Sequence, residues 1–386
     1  MLDKILIVDD SIDNRQLLSK TLGRAGYEVV EASEGQEGLA RALEILPELI
    51  LLDIMMPGID GYQVCDLLKK DALTADIPVI FLSARTETRD KIKGLEIGGV
   101  DYITKPFDRG EVLARVQTQL KIRHLMKDLL DKQKRLEEDL RAAAFIQETL
   151  LPANLPTWPS LEISWKFLPC ELIGGDIFNV VPLDEAHVGF YMVDVSGHGV
   201  PSAMVTVSVS QLMSPDSGYL RKKISSPPYY QIVPPGKVLQ ALDKEYPFER
   251  FNKFFTMVYL LLNIPQKKMT YSSAAHPPPL LLHRDGGLEL LGKGGTIIGL
   301  NGIVPFDQEE RELQPRDKVI IYTDGVVEYQ NREEELFGPE RLYDLARTLS
   351  KEPISKILDA IYEGLMDFGR QAKIQDDVSL LGIEVK

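Results

Sequence analysis

Two apolar runs near the start of this chain end abruptly on aspartate: Ile5–Val8 meets Asp9 and Asp10, and Leu49–Leu52 meets Asp53. Four apolar residues bounded by charge are too few for a buried helix and read as strands. Further strands are expected at Val29–Val30, Val79–Leu82 and Tyr102–Ile103, with amphipathic helices between them at Asp13–Arg24, Glu34–Leu46, Tyr62–Lys70 and Arg89–Ile97. Strand–helix alternation at this spacing predicts an α/β, flavodoxin-like unit: a five-stranded parallel sheet covered on both faces. Ligands bind such sheets at the carboxyl ends of the strands, where Asp9, Asp10, Asp53 and Ser83 fall.

A chain of 386 residues exceeds one ordinary core. From near Asp108 a helix is expected to run to Pro152, with Met126, Leu129, Gln133, Leu136, Leu140, Ala143, Gln147 and Leu150 at three- and four-residue steps. That is the seam of a short coiled coil. A single helix packed on its own domain fits the same steps; charge on the other faces favours a parallel dimer. After Pro152 the texture changes to β-branched runs (Val188–Val193, Phe255–Leu262, Val319–Tyr322, Val378–Val385) and helical stretches (Ser202–Leu212, Gly236–Lys244, Glu340–Leu349, Ile354–Asp367). This predicts a mixed α+β domain, with Ser214–Pro235 as a surface loop or flap. The boundaries expected are 1–120, 121–151 for the helical coiled-coil linker, and 152–386.

A formal net charge of −14 disfavours nucleic acid and anionic membrane as partners. No apolar stretch reaches the length of a membrane span. Two cysteines without ligand spacing, Cys65 and Cys170, suit a reducing cytoplasm and argue against zinc.

In the first unit Asp9, Asp10 and Asp53 converge if the sheet is parallel. Three carboxylates together call for a hard cation such as Mg2+, and a carboxylate beside a metal and a lysine, here Lys105, can accept a phosphoryl group. Taken singly, Asp9 and Asp10 read equally well as a helix N-cap pair and Tyr102 as a packing residue. ILIVDD, LLDIMMPGIDG, FLSA and YITKPF resemble the response-regulator receiver family over residues 1–120. The resemblance implies Asp53 as phospho-acceptor, with Asp10, Asp53 and the Met55 carbonyl as Mg2+ ligands and Asp9 behind them. It also implies Ser83 and Lys105 on the phosphoryl group, Tyr102 as a rotating switch, a cis Lys105–Pro106 bond and a sensor histidine kinase as partner.

The second half carries four acidic motifs: GGD (Gly174–Asp176), DVSGHG (Asp194–Gly199), TDG (Thr323–Gly325) and QDD (Gln375–Asp377). Each is expected to follow or end a strand-like run. Carboxylates without a histidine pair or cysteine suggest two Mg2+ or Mn2+ ions activating a water. His198 and His276 each suit a general acid, though a turn role and a core role are the simpler readings. These motifs, with AFIQETLLP, FFTMVYLLLN, SSAAHPPPLLL and GTIIGL, resemble the SpoIIE/RsbU-like branch of the bacterial PPM phosphatases over residues 144–386. The resemblance implies Asp194 as the bridge between the metals beside the Val195 carbonyl, with Asp176 on one ion, Asp324 and Asp376 on the other, and Asp377 ligating or supporting. It implies a two-sheet sandwich flanked by helices, and serine/threonine protein phosphatase activity on a phosphorylated anti-sigma-factor antagonist of the STAS type. One departure stands out: Asn179 occupies a position where that branch usually has aspartate. It keeps open an alternative, an adaptor without turnover that binds an antagonist or sigma factor. Phosphorylation at Asp53 is expected to act through the long helix on a cytoplasmic homodimer.

Overall fold

The computed structural model describes residues 2–84, 88–152, 155–370, 372 and 374–386. They divide into two compact units, Met1–Leu136 and Glu137–Lys386. In the first, strands β1 (Lys4–Val8), β2 (Glu28–Ala32), β3 (Leu49–Asp53), β4 (Val79–Ser83) and β5 (Asp101–Thr104) alternate with helices α1 (Ile12–Arg24), α2 (Gly35–Ile45), α3 (Gly61–Lys70) and α4 (Thr88–Glu96). The strands pair in parallel in the order β2-β1-β3-β4-β5.

The period-two alternation of strands divides the core in two. Leu6, Val8, Ile50, Leu52, Val79 and Phe81 pack with Ala42, Val64, Cys65 and Leu68 on one face. Ile5, Ile7, Leu49, Leu51, Ile80 and Leu82 pack on the other with Leu18 and Leu22 of α1 and with Val112, Val116 and Leu120 of α5 (Arg109–Glu148). Two local devices fix the start of α3 behind Asp53. Asp60 and Gln63 form a reciprocal capping box. Gly61 lies so close to β3 that a Cβ there would stand 2.1 Å from the Asp53 carbonyl oxygen, so only glycine fits.

Helix α5 is continuous over 40 residues. The seam expected along it divides. Met126, Leu129 and Leu136 are exposed, at 59–62%. Gln147 is buried within the second unit, so it belongs to that unit's interior and not to an exposed seam.

The second unit contains β6 (Leu161–Leu168), β7 (Asp176–Pro182), β8 (His187–Val195), α6 (Val200–Leu212), β9 (Arg221–Lys223), β10 (Tyr230–Ile232), α7 (Pro235–Glu245), α8 (Phe248–Phe251), β11 (Phe255–Asn263) and β12 (Lys268–Ala274). It continues with β13 (Leu280–Leu282), β14 (Leu288–Leu290), β15 (Gly294–Gly295), β16 (Glu309–Glu312), β17 (Lys318–Tyr322), α9 (Asp324–Val327), α10 (Gly338–Thr348), α11 (Ile354–Gly369) and β18 (Val378–Val385). One sheet runs β15-β12-β11-β8-β7 with β16 also on β12; the other runs β14-β13-β17-β18-β6.

The strand β17 explains the sandwich. Val319 and Ile321 join Phe178, Phe190, Met192 and Val258 in the core between the sheets, where Phe178 meets Trp165 of β6. Ile320 and Tyr322 point outward onto Leu342, Ile357, Leu358 and Ile361 of α10 and α11. Helices α6 and α7 cover the other sheet through Val205, Val209, Val238, Leu239 and Leu242. The segment expected as a loop, Ser214–Pro235, instead holds the antiparallel pair β9–β10 and buries Leu220 and Val233. Two apolar anchors, spaced too far apart to register as periodicity, are enough to pin it.

Candidate functional site

In the first unit Asp9, Asp10 and Asp53 each offer an oxygen within 4.8 Å of the others, and among the described residues no other acidic or metal-ligating trio is as tight. Asp9 is fully buried and Asp53 nearly so, while Asp10 is exposed. The Lys105 ammonium joins Asp9 at 2.7 Å and Asp53 at 2.6 Å. Ser11 N and Asn14 Nδ2 also donate to Asp9, and Met55 N donates to Asp53 at 3.3 Å. Burial pushes the Asp53 carboxyl up, against the pull of Lys105. Burial also works against the Lys105 charge, but Asp53 and Asp9 outweigh it and hold the ammonium above its ordinary value. The Lys105–Pro106 bond is cis. Beside the trio lies a cavity of about 640 Å³ lined by Asp10, Met55, Asp60, Ser83 and Lys93, among others.

Tyr102 is buried and stacks on Phe81 with ring centroids 5.4 Å apart. Its hydroxyl fills the space over Gly94, where a Cβ would stand 1.7 Å from the oxygen. This inward placement depends on a glycine in α4.

In the second unit the acidic motifs meet because antiparallel strands start and finish together. Asp194, near the end of β8, lies opposite Asp176, the first residue of β7. Asp324 follows β17, and Asp376 and Asp377 precede the partner of β17, β18. Asp176 and Asp377 therefore open or precede strands, whereas the sequence suggested that each motif follows or ends a strand-like run. The carboxylates raise one another. Burial, then Asp324, Asp376 and Asp377, drive Asp194 up to about 8. Burial, then Asp194 and Asp377, raise Asp176 well above the carboxylate range. Burial lifts Asp324 and Asp376 as well.

Asp377 serves the backbone. It accepts N–H bonds from Cys170 at 2.8 Å, Gly175 at 2.6 Å and Asp176 at 3.1 Å, which ties the GGD loop to the start of β18. The glycines of the motifs follow from that packing: a Cβ on Gly174 would reach within 2.4 Å of Asp377 Oδ2, and one on Gly325 within 2.1 Å of its carbonyl oxygen. Ser379 Oγ donates to Asp176 Oδ2 at 2.6 Å. Val195 N donates to the Gly175 carbonyl at 3.1 Å, joining the DVSGHG turn to the same loop.

Asn179 stands three residues along β7 from Asp176, so it points to the opposite face of the sheet. Its Nδ2 donates to the Leu150 carbonyl at 2.8 Å. It tethers the segment after α5. His198 is exposed and lies 3.2 Å from Glu171. His276 is buried, bonded to Thr256, and held neutral by burial, its pKa driven down to about 3.

Sequence patterning gave no hint of Gln147 as part of the site. Its Nε2 donates to the Gly174 carbonyl at 2.9 Å and its Oε1 accepts from Gly174 N at 3.1 Å, so one buried amide grips both polar groups of that peptide backbone. Asp243 was missed as well. Buried in α7, it accepts N–H bonds from Gly299, Leu300, Asn301 and Gly302 and fixes the loop next to the DVSGHG turn. Both pairings span tens of residues, and no local pattern announces them.

Comparison with known proteins matches these two constructions. The response regulator receiver domain model covers residues 5–117. Over 118 residues the chain is 48% identical to the DNA-binding dual master transcriptional regulator RpaA of Synechocystis sp., covering 31% of this chain and 49% of that protein. Over 117 residues it is 47% identical to the phosphate regulon transcriptional regulatory protein PhoB of Pseudomonas aeruginosa, covering 30% and 51%. The chain thus spans about half the length of the curated relatives it matches, within the receiver alone. The SiaA-PP2C domain of Pseudomonas aeruginosa shares the second unit's fold, at 19% identity and a TM-score of 0.54, covering 66% of this chain and 99% of that one. A structure of the RsbU and RsbW domains of a Mycobacterium tuberculosis protein aligns at 25% identity and a TM-score of 0.50, covering 61% and 63%. The Stage II sporulation protein E (SpoIIE) model matches residues 184–386, more than half of the chain, which therefore belongs to the SpoIIE family, with a PP2C-type phosphatase domain joined to a response-regulator receiver.

Proposed function

We propose that a sensor histidine kinase phosphorylates Asp53 and thereby controls a Mg2+- or Mn2+-dependent phosphatase acting on phosphoserine or phosphothreonine in a protein. A phosphorylated anti-sigma-factor antagonist of the STAS type is the substrate under this reading. Residues 1–120 serve as receiver, 121–151 as linker and 152–386 as phosphatase.

The observation that carries the reading is the crowding of Asp176, Asp194, Asp324 and Asp376, all four raised by burial. Oxygen-only donors crowded to this degree fit hard divalent cations. Asp194 would bridge a pair of ions, with Asp176 and the Val195 carbonyl toward one and Asp324 and Asp376 toward the other. Such a pair, when bound, supplies a water acidic enough to attack phosphate. The chain's own residues orient the ligands: Ser379 fixes Asp176, and Asp377 holds the GGD loop from behind. In the receiver, Asp10, Asp53 and the Met55 carbonyl would hold Mg2+, with Asp9 supporting through Lys105. Ser83 and Lys105 would meet the phosphoryl group, and Tyr102 would follow the change. An adaptor without turnover draws no support from Asn179, whose amide is occupied by Leu150.

Regulation in this reading runs along α5. Gln147, at its end, holds Gly174, two residues from Asp176. A shift of the helix moves the loop that presents a metal ligand. The test is Mn2+-dependent hydrolysis of p-nitrophenyl phosphate by the full chain. Asp194→Ala should abolish it, and acetyl phosphate should change the rate of the wild type but not of Asp53→Ala. Undiminished turnover in Asp194→Ala would overturn the metal assignment, and equal rates with and without acetyl phosphate would overturn the coupling.

A further inference from the structure

The DVSGHG turn carries a cation and an apolar ring that the metal chemistry does not use. Lys253 Nζ donates to the Ser196 carbonyl at 2.6 Å and to Ser202 Oγ at 3.1 Å. Gly197, at φ +75°, leaves room for it: a Cβ there would stand 3.1 Å from the ammonium. Among the described residues no other lysine or arginine bonds this turn, and His198 is paired with Glu171. A lysine ammonium has three N–H donors. Two are accounted for, and Lys253 is only half-buried, so the third is open to a ligand.

The next residue, Phe254, is locked to the same turn by two backbone bonds: Ser196 N donates to its carbonyl at 2.9 Å, and its own N–H donates to Ser196 Oγ at 3.2 Å. Phe254 is nevertheless 39% exposed, beside Phe248 at 41%, with ring centroids 6.5 Å apart. The shelf is fixed from below. Phe248 N donates to the Gly299 carbonyl at 3.0 Å, and Asp243 anchors the loop that begins at Gly299. Two exposed aromatic residues, tied to the turn that follows Asp194, belong to neither core cluster of this unit.

We propose that Lys253 and the Phe248–Phe254 shelf form the substrate-recognition surface of the phosphatase. The lysine meets the phosphoryl oxygens, and the rings take an apolar side chain adjacent to the phosphorylated serine or threonine. This rests on the phosphatase reading above. A phosphate dianion approaching a pocket of five aspartates needs a cation besides the metals, and Lys253 is placed to be that cation. Continuity between shelf and turn sets the distance: the apolar residue must lie within one or two positions of the phosphorylated one.

The test is fluorescence anisotropy with the full chain in Mn2+, using labelled phosphoserine peptides with Leu or Asp after the phosphoserine, together with kcat/KM on the same peptides. The wild type should prefer the Leu peptide by about tenfold, as expected for burying one aliphatic side chain. Phe254→Ser should collapse that preference to within about twofold. Lys253→Met should weaken both phosphopeptides about tenfold or more, through KM more than kcat, and Lys253→Arg should restore most of the loss. Equal affinity of wild type and Lys253→Met, or an unchanged Leu preference in Phe254→Ser, overturns the proposal. Lys253-dependent binding without any turnover would retain the recognition surface and discard the phosphatase reading.

Discussion

At the scale of single residues, Asp194 is a carboxylate buried among other carboxylates. Its folded pKa, near 8, lies above the ordinary carboxylate value. Its contribution to the stability of the metal-free fold is therefore complete only in acid and is lost as pH rises through about 8. Asp194→Asn should stabilise the chain in EDTA at pH 8 by roughly 1–3 kcal/mol, the scale of an unrelieved buried charge, in urea melts. Mn2+ should raise the midpoint of the wild type more than that of the variant, which keeps the acidic trio of the first unit; a variant no more stable than wild type in EDTA would argue against a buried charge at this position. The aspartates themselves were legible in the sequence: Asp176, Asp194 and Asp324 stand in short glycine-bearing motifs, and Asp376 and Asp377 form a pair just ahead of an apolar run. The role of Asp377 was not. Its carboxylate spends itself on three backbone N–H groups contributed by residues about two hundred positions earlier, which no local reading reaches.

At the scale of elements, what was readable follows periodicity. The central receiver strands β1, β3 and β4, buried on both faces, appear as continuous apolar runs, and their predicted bounds hold to within a residue or two. Strand β6 escaped notice because it mixes Glu162 and Lys166 among apolar residues in LEISWKFL, with one face toward the core and the other half-exposed. Helix α5 was legible in extent but not in its partners. Gln147 looked like a polar step of a seam, yet it is a buried amide gripping Gly174. Gln147→Ala would strand both the N–H and the carbonyl of Gly174, each costing about 1–3 kcal/mol if left unpaired. The expected outcome is weaker Mn2+ binding by calorimetry and at least about a tenfold loss of p-nitrophenyl phosphate turnover, with normal acceptance of phosphate from acetyl phosphate. Wild-type Mn2+ affinity in this variant would remove Gln147 from the route of regulation.

At the scale of the whole molecule, the open question is self-association. Leu125, Met126, Leu129 and Leu136 are each about 60% exposed along α5, an apolar stripe of the kind that a partner helix covers. Sedimentation of the full chain is expected to give a dimer, and Leu129→Glu combined with Leu136→Glu a monomer; a monomeric wild type at micromolar concentration would rule the dimer out. A different consequence follows from the clasp between Asp377 and the GGD loop. The loop's tie-down arrives from a stretch some two hundred residues downstream, while β18 itself lies between β17 and β6. A ribosome-bound chain that has not yet released β18 carries Asp176, Asp194 and Asp324 but lacks the clasp that holds the GGD loop. That loop takes its final place only when the sandwich closes.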